Sequence, residues 1–331
     1  MFPFEAFDFL FCINKKFVLG TGALIASIYK NNPDLNVSFY IYVSEKEKDY
    51  IEKELLSRLN FLPQNYKVFL FCYEEIELYK KLKDKVNQRM LIQSVRLFAI
   101  DHCPSKNNRL VYLDVDVICV GNIQEIFSVP IENKILAAKK FDNVKNVNFK
   151  LQIKDYFCSG VLFINRREYR NQKVAEKTVN FIVQNNPKYP DQDALNVVCE
   201  NNVVFLDHKF HEMWHFSQDS IFIHFIGEKP WEPWHYCDDK RITNRFRQYC
   251  KLFEPNVAKW ITFRPETKQN NKQRALVNFS NERFALKWIS RLLFKHGKYC
   301  AGIYFYLRHI YVKVTQKGLI NLILLKSNTR S

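Results

Sequence analysis

Glycine is scarce in this chain, eight of 331 residues, and no repeat period or low-complexity tract runs through it. Nine cysteines occur, an odd number, with no C-x-x-C pair among them. That argues against a disulfide framework or a structural zinc site, and for a reducing compartment. No apolar run reaches the roughly 18 residues that a membrane-crossing helix needs. The first eight residues lack a basic region and include Glu5 and Asp8, unlike a secretory signal. A cytoplasmic location is therefore expected. One end of the chain also lacks acid: no Asp or Glu follows Glu282.

What is present is apolar and basic. Hydrophobic residues make up 47% and aromatics 15%, enough for one large α/β domain with an appendage, or for two domains. Fifty basic residues against 34 acidic give a net charge of +16. Such an excess favours anionic partners, whether nucleic acid, a phosphorylated substrate or an anionic membrane. Charge alone does not choose among them.

Periodicity alternates along the chain. Residues 7–13 read as a strand, 17–28 as a buried helix closed by Asn31-Asn32-Pro33, and 37–43 as a second strand. Ser44-Glu45-Lys46-Glu47 resembles a capping box that opens a charged helix to about Leu59. Residues 66–72 make a third strand, and 90–100 have helical spacing. This order marks an α/β sheet with parallel strands, in which ligands bind at the carboxyl ends. Asn14 and the acids described next both fall at such ends.

Residues 109–120, bounded by Asn107-Asn108 and Gly121-Asn122, read as a buried strand interrupted by Asp114 and Asp116. On an extended chain the two acids share a side. Like charges on an apolar strand repel, and buried carboxylates without a partner are costly. A hard divalent cation, Mg²⁺ or Mn²⁺, removes both penalties. The alternative is that the strand ends at Leu113 and both acids lie in a solvated turn.

Further on, Asp155–Asn165 is a small-residue turn leading into an apolar strand, and residues 189–196 start a helix. Asp191 and Asp193 near its positive end are explained by capping alone. His224 lies within the apolar strand 221–226, where a lone histidine is ordinarily a core residue. His211-Glu212-Met213-Trp214-His215 spells H-E-x-x-H, the zincin signature. It sits between two strand-like runs and is broken by Ser217-Gln218-Asp219-Ser220, so the helix that zinc chemistry requires is not expected.

Beyond Glu282, Lys287, Arg291, Lys295 and Lys298 alternate with Trp288, Leu292, Leu293 and Phe294. Basic and aromatic residues on helix-length segments suit a surface binder of anionic membrane; a helical cap with a basic outer face is the plainer reading. No nucleic-acid motif accompanies the charge, so nucleic acid is not an expected partner.

Five stretches, in order over residues 7–235, resemble the retaining nucleotide-sugar glycosyltransferases of family 8. They are Asn14-Lys15-Lys16-Phe17, Leu113-Asp114-Val115-Asp116, Tyr156-Phe157-Cys158-Ser159-Gly160-Val161-Leu162-Phe163-Ile164-Asn165, Asp191-Gln192-Asp193-Ala194-Leu195-Asn196 and His224-Phe225-Ile226-Gly227-Glu228-Lys229-Pro230-Trp231. Within the family, the bacterial lipopolysaccharide-core glucosyl- and galactosyltransferases are the most similar subgroup.

The resemblance implies a GT-A fold over residues 1–250, a Rossmann-like mixed sheet flanked by helices. A basic, mainly helical region over 251–331 would follow. It implies that Asp114, Asp116 and His224 ligate Mn²⁺ or Mg²⁺, with Mn²⁺ favoured by the imidazole. Lys229 and Gly227 would meet the diphosphate of a UDP-hexose, Arg96 would face the donor, and Asp191 and Gln192 would lie near the anomeric carbon. Asn14 stands where the family carries an aspartate that contacts the nucleotide, and Cys158 where it carries a polar residue. The implied reaction moves glucose or galactose to a lipopolysaccharide or lipooligosaccharide core; the basic tail would hold the protein at the cytoplasmic, anionic face of the bacterial inner membrane, where a lipid-anchored oligosaccharide acceptor is available. A capsule or protein acceptor, or a polyanion-binding protein with a decayed site, are the alternatives.

Overall fold

The computed structural model describes residues 6–141, 150–213, 215–226, 229–231 and 240–253, with Ile303 and Leu307. The chain divides into two compact units, Met1–Trp260 and Ile261–Ser331. The strands and helices that follow all belong to the first. Most of the basic aromatic region expected over 251–331 lies outside the described residues, as do Gly227 and Glu228.

In chain order the elements are β1 (Phe7–Cys12), α1 (Val18–Asn31), β2 (Val37–Val43), α2 (Glu45–Ile51), β3 (Tyr66–Cys72), α3 (Glu77–Lys83) and α4 (Gln88–His102). Next come β4 (Arg109–Leu113), β5 (Val117–Cys119), β6 (Leu136–Lys140), β7 (Phe157–Asn165), α5 (Arg166–Asn171) and α6 (Val174–Asn185). The unit closes with α7 (Pro190–Val198), β8 (Val203–Phe205), β9 (Glu212–Met213), β10 (Phe222–His224) and α8 (Lys240–Phe253). Among the described residues no helix is long and apolar enough to cross a membrane.

Seven strands form one mixed sheet in the order β3-β2-β1-β4-β7-β6-β8. β3, β2, β1 and β4 run parallel, whereas β7 is antiparallel to both β4 and β6. Side chains alternate across it. Phe7, Phe9 and Phe11 of β1 join Phe39 and Ile41 on one face, while Leu10 joins Tyr42 and Tyr112 on the other. Each such fully buried apolar side chain contributes roughly 1.5–3 kcal/mol, so the strand period of two and the two covered faces enforce each other.

Two local expectations are corrected. The strand over 109–120 is not continuous: β4 ends at Leu113, a turn closes with Val117 N–H donating to the Asp114 carbonyl at 3.1 Å, and β5 joins a second sheet. That sheet, ordered β5-β10-β9, offers β5 an antiparallel partner that the main sheet does not. The capping box does not form either. The Ser44 hydroxyl donates to Glu74 at 2.6 Å and the Glu47 carboxylate accepts from Lys15 N–H at 3.0 Å, so tertiary partners displace the local ones. The charged helix ends at Ile51 and passes into a single π turn over Glu52–Leu56.

Candidate active site

The site lies at the carboxyl ends of β1 and β4, where β5 and β10 turn away. Asp114 follows β4 directly, and its N–H donates to the Gly160 carbonyl of β7 at 2.8 Å. Asp116 is fixed from the other sheet. Val117 pairs with His224 across β5 and β10, and Phe225 N–H donates to the Asp116 carbonyl at 2.9 Å. This register brings His224 beside two acids that are distant in sequence. One oxygen each of Asp114 and Asp116 and one ring nitrogen of His224 lie within 4.8 Å of one another.

Both expected geometries for the acids were incomplete. They do lie in a turn, but Asp116 is buried there, 6% exposed beside His224 at 3%, while Asp114 is only partly buried. Two carboxylates no more than 4.8 Å apart, one of them buried, repel by about 3 kcal/mol at an effective dielectric near 20, a cost that calls for counter-charge. Positive groups converge accordingly. His224 Nε2 stands 3.3 Å from Asp116 and 3.9 Å from Asp114, and the Lys229 ammonium bonds Asp116. Burial opposes the Asp116 charge, but His224 and Lys229 outweigh it and hold the carboxyl well below its usual range. Burial likewise opposes the His224 charge, yet Asp116 pushes the imidazole up to about 10.

Arg96, on the buried side of α4, joins the second half of the site. Its guanidinium lies 2.9 Å from Asp114 and 3.1 Å from Asp191, donates to the Ser159 carbonyl at 3.0 Å, and rests 4.6 Å over the Tyr112 ring. The two acids at the start of α7 thereby part company. Asp193 accepts from Tyr189 N–H at 3.0 Å and from the Tyr156 hydroxyl, a capping role. Asp191 instead meets Arg96 at 3.1 Å; burial raises its pKa and Arg96 partly offsets that rise. Gln192 is held by both ends of its amide, accepting from Ser159 N–H at 3.0 Å and donating to Tyr156 at 3.1 Å.

Gly160 admits this convergence. A Cβ there would overlap Cε1 of His224, lie 2.8 Å from its Nδ1 and reach 3.0 Å from Asp114. Gly20 serves the turn similarly from α1, since its Cβ would stand 2.6 Å from the Val115 carbonyl.

Of the expected site residues, the fold gathers Arg96, Asp114, Asp116, Asp191, Gln192, His224 and Lys229. Asn14 stands at the neighbouring strand end, where its side chain caps the following turn by accepting from Lys16 N–H at 2.9 Å. Gly227 lies outside the described residues. Sequence reading missed Tyr112, whose hydroxyl donates to Asp114 at 2.7 Å, and Ser159, whose hydroxyl reaches Asp191 at 3.2 Å. Tyr112 shares a strand face with Asp114 by the period of two; Ser159 was legible only as part of the expected small-residue turn leading into an apolar strand. The H-E-x-x-H stretch is not helical: Glu212 and Met213 form β9, and His215 is exposed while His211 is buried.

Comparison with known proteins places this geometry. The model of glycosyl transferase family 8 matches residues 8–235, spanning both acids, Arg96, Asp191 and His224. The chain belongs to that family. A lipopolysaccharide 1,2-glucosyltransferase of Escherichia coli is 26% identical over 260 residues, 70% of this chain and 74% of the relative. The lipopolysaccharide glucosyltransferase WaaO of E. coli K12 is 24% identical and aligns over 93% of this chain and 91% of its own. Among solved structures, the galactosyltransferase LgtC with donor and acceptor sugar analogues superposes at a TM-score of 0.61 with 17% identity. That match covers 76% of this chain and 99% of LgtC. The fold of this family 8 member is GT-A, the mixed sheet and flanking helices described above.

Proposed function

We propose that this family 8 chain is a metal-dependent retaining hexosyltransferase that moves glucose or galactose from a UDP-sugar to a lipopolysaccharide or lipooligosaccharide core. The reading rests chiefly on one observation, the convergence of Asp114, Asp116 and His224 within 4.8 Å beside the Arg96–Asp191 pair. Two carboxylate oxygens and an imidazole nitrogen are a donor set suited to a divalent cation, and the imidazole favours Mn²⁺ over Mg²⁺. Such an ion supplies charge stabilisation for a departing diphosphate.

The chain's own residues supply the rest. Asp114, Asp116 and His224 hold the ion, and Lys229, whose ammonium already reaches Asp116, supplies a second positive charge for the diphosphate. Arg96 fixes Asp191 beside the acid turn. Glycosyl transfer passes through an oxocarbenium-like transition state, and a preorganised carboxylate and amide stabilise its positive charge. Asp191 and Gln192 fill those roles, each held by at least two hydrogen bonds or ion pairs. The lipopolysaccharide acceptor is inferred from the relatives' own names, and the net charge of +16 fits an acceptor at an anionic surface.

The reading is tested by incubating the protein with UDP-glucose or UDP-galactose, Mn²⁺ and core-truncated lipopolysaccharide, then assigning the new linkage by NMR. An α-linked hexose is expected, the configuration of the donor. A β-linked product overturns retention, and transfer only to protein or capsule precursors overturns the acceptor.

A further inference from the structure

His211 heads the H-E-x-x-H stretch, yet its ring points into the protein and is fully buried. Its Nε2 lies 2.9 Å from Nδ1 of His224. The ring centroids are 5.1 Å apart and the planes only 27° from parallel. That separation is close to the contact distance plus two ring radii. The nitrogens therefore meet head-on, with one proton and one lone pair on a single line, the geometry of a hydrogen bond. Two imidazoles sharing an ion would instead converge at an angle on a third point. This argues against a second metal centre at Cys158, His211 and His224, although their ligand atoms also lie within 4.8 Å.

We propose that His211 is a positioning residue: it accepts the Nδ1 proton of His224, so that when a cation displaces the proton Nε2 shares with Asp116 the bare Nε2 faces the ion between Asp114 and Asp116. The inference rests on the metal reading of those acids. A neutral imidazole carries one proton, and placing it on Nδ1 leaves Nε2 bare for an ion. Nε2 is the nitrogen that faces the carboxylates, at 3.3 Å from Asp116 and 3.9 Å from Asp114. Metal-ligating histidines ordinarily give their second N–H to a carboxylate, carbonyl or water. An imidazole acceptor adds no negative charge to a site that already holds Asp114, Asp116 and Asp191. The Cys158 thiol also borders His224, but sulfur is a weak acceptor and does not replace it.

The arrangement has a cost. With Nε2 accepting, the His211 proton sits on Nδ1, a buried atom without a hydrogen-bond partner among the described residues. On the other side the His224 ring packs closely on Gly160, where a Cβ would overlap Cε1.

The test is Mn²⁺ binding, followed by the loss of the free-ion EPR signal in the presence of UDP, with a thermal melt for each protein. The wild type is expected to bind Mn²⁺ and Asp116→Asn to bind far less. His211→Phe is expected to weaken binding about 10- to 100-fold. His211→Gln, whose side-chain oxygen can accept the same proton, should recover most of that loss, a rescue that a purely structural role would not give. Wild-type affinity in His211→Phe overturns the inference about His211. Equal binding by wild type and Asp116→Asn overturns the metal reading instead. Should His211→Phe not fold, long-range ¹H–¹⁵N NMR of the wild type with Mg²⁺ and UDP decides. Nδ1-protonated His224 is expected, and an Nε2-protonated ring contradicts it.

Discussion

Arg96 Nε stands 3.1 Å from Asp191 Oδ2, and this ion pair joins the start of α7 to the acid turn after β4. Both partners are largely buried, so the pair matters most when one member is removed. Breaking a buried pair from one side costs about 3–5 kcal/mol, because the remaining charge has no counter-ion. Arg96→Met should lose that much stability near pH 8, checked by chemical denaturation.

The same variant carries a pH signature. Burial already raises the Asp191 pKa above its ordinary value, and Arg96 opposes the rise. Without Arg96 the folded pKa climbs further. A group with a raised folded pKa favours the fold when protonated and loses that advantage as pH rises through the folded value. Arg96→Met should therefore be closer to wild type at pH 5 than at pH 8. A penalty that grows toward acid pH would refute the assignment.

Asp191→Asn tests the charge while leaving Arg96 a counter-ion, since the guanidinium keeps Asp114 at 2.9 Å. The amide keeps the shape and can still meet Ser159, but it brings no negative charge to an oxocarbenium-like centre. Turnover should fall about 10²- to 10³-fold while the KM for the donor changes little. A large rise in KM with unchanged turnover would assign Asp191 to ground-state binding.

Much of this architecture was legible in the sequence, and the gaps have physical causes. β2 and β3 were readable because each is a contiguous run whose apolar period matches the sheet. The break at Asp114 was legible only as one of two readings, the strand ending at Leu113, because β5 leaves for β10, whose strand lies far along the chain; no local signal carries that register. Asp191 and Asp193 look alike as acids at a helix start, and only the position of Arg96 on α4 gives one a capping role and the other an ion pair. Ser44 shows the converse, a good local cap that Glu74 draws away.

Gly160→Ala tests the close packing under His224. An added Cβ must displace the ring or the strand, a change that costs typically 1–3 kcal/mol in a packed interior. Mn²⁺ affinity should drop by more than tenfold even where the variant stays folded, as read by EPR. Wild-type affinity would show that the ring position does not govern binding.

The exposed end of the H-E-x-x-H stretch gives a control. His215→Ala removes a solvent-facing side chain from a non-helical segment, and such surface changes lie within about 0.5 kcal/mol. Activity and stability should both match wild type, and purified protein should contain no stoichiometric zinc by elemental analysis.

Membrane association, proposed for the basic residues beyond Glu282, is checked by sedimentation with vesicles. The full chain should pellet with anionic vesicles, remain in solution with neutral ones and be released by salt. Deleting residues 283–331 should abolish pelleting while leaving UDP binding intact; a truncated protein that still pellets would refute the role.

In the proposed reaction Asp116 and a divalent ion together serve transfer from a UDP-sugar. The most direct measurement is UDP release from a panel of UDP-sugars, with and without Mn²⁺, by wild type and Asp116→Asn. Many transferases slowly hydrolyse their donor, so no acceptor is needed. Mn²⁺-dependent turnover of UDP-glucose or UDP-galactose, lost in Asp116→Asn, is the expected result. Equal turnover without the ion or with the substitution, or silence with every donor and no Mn²⁺-dependent UDP binding, would contradict it.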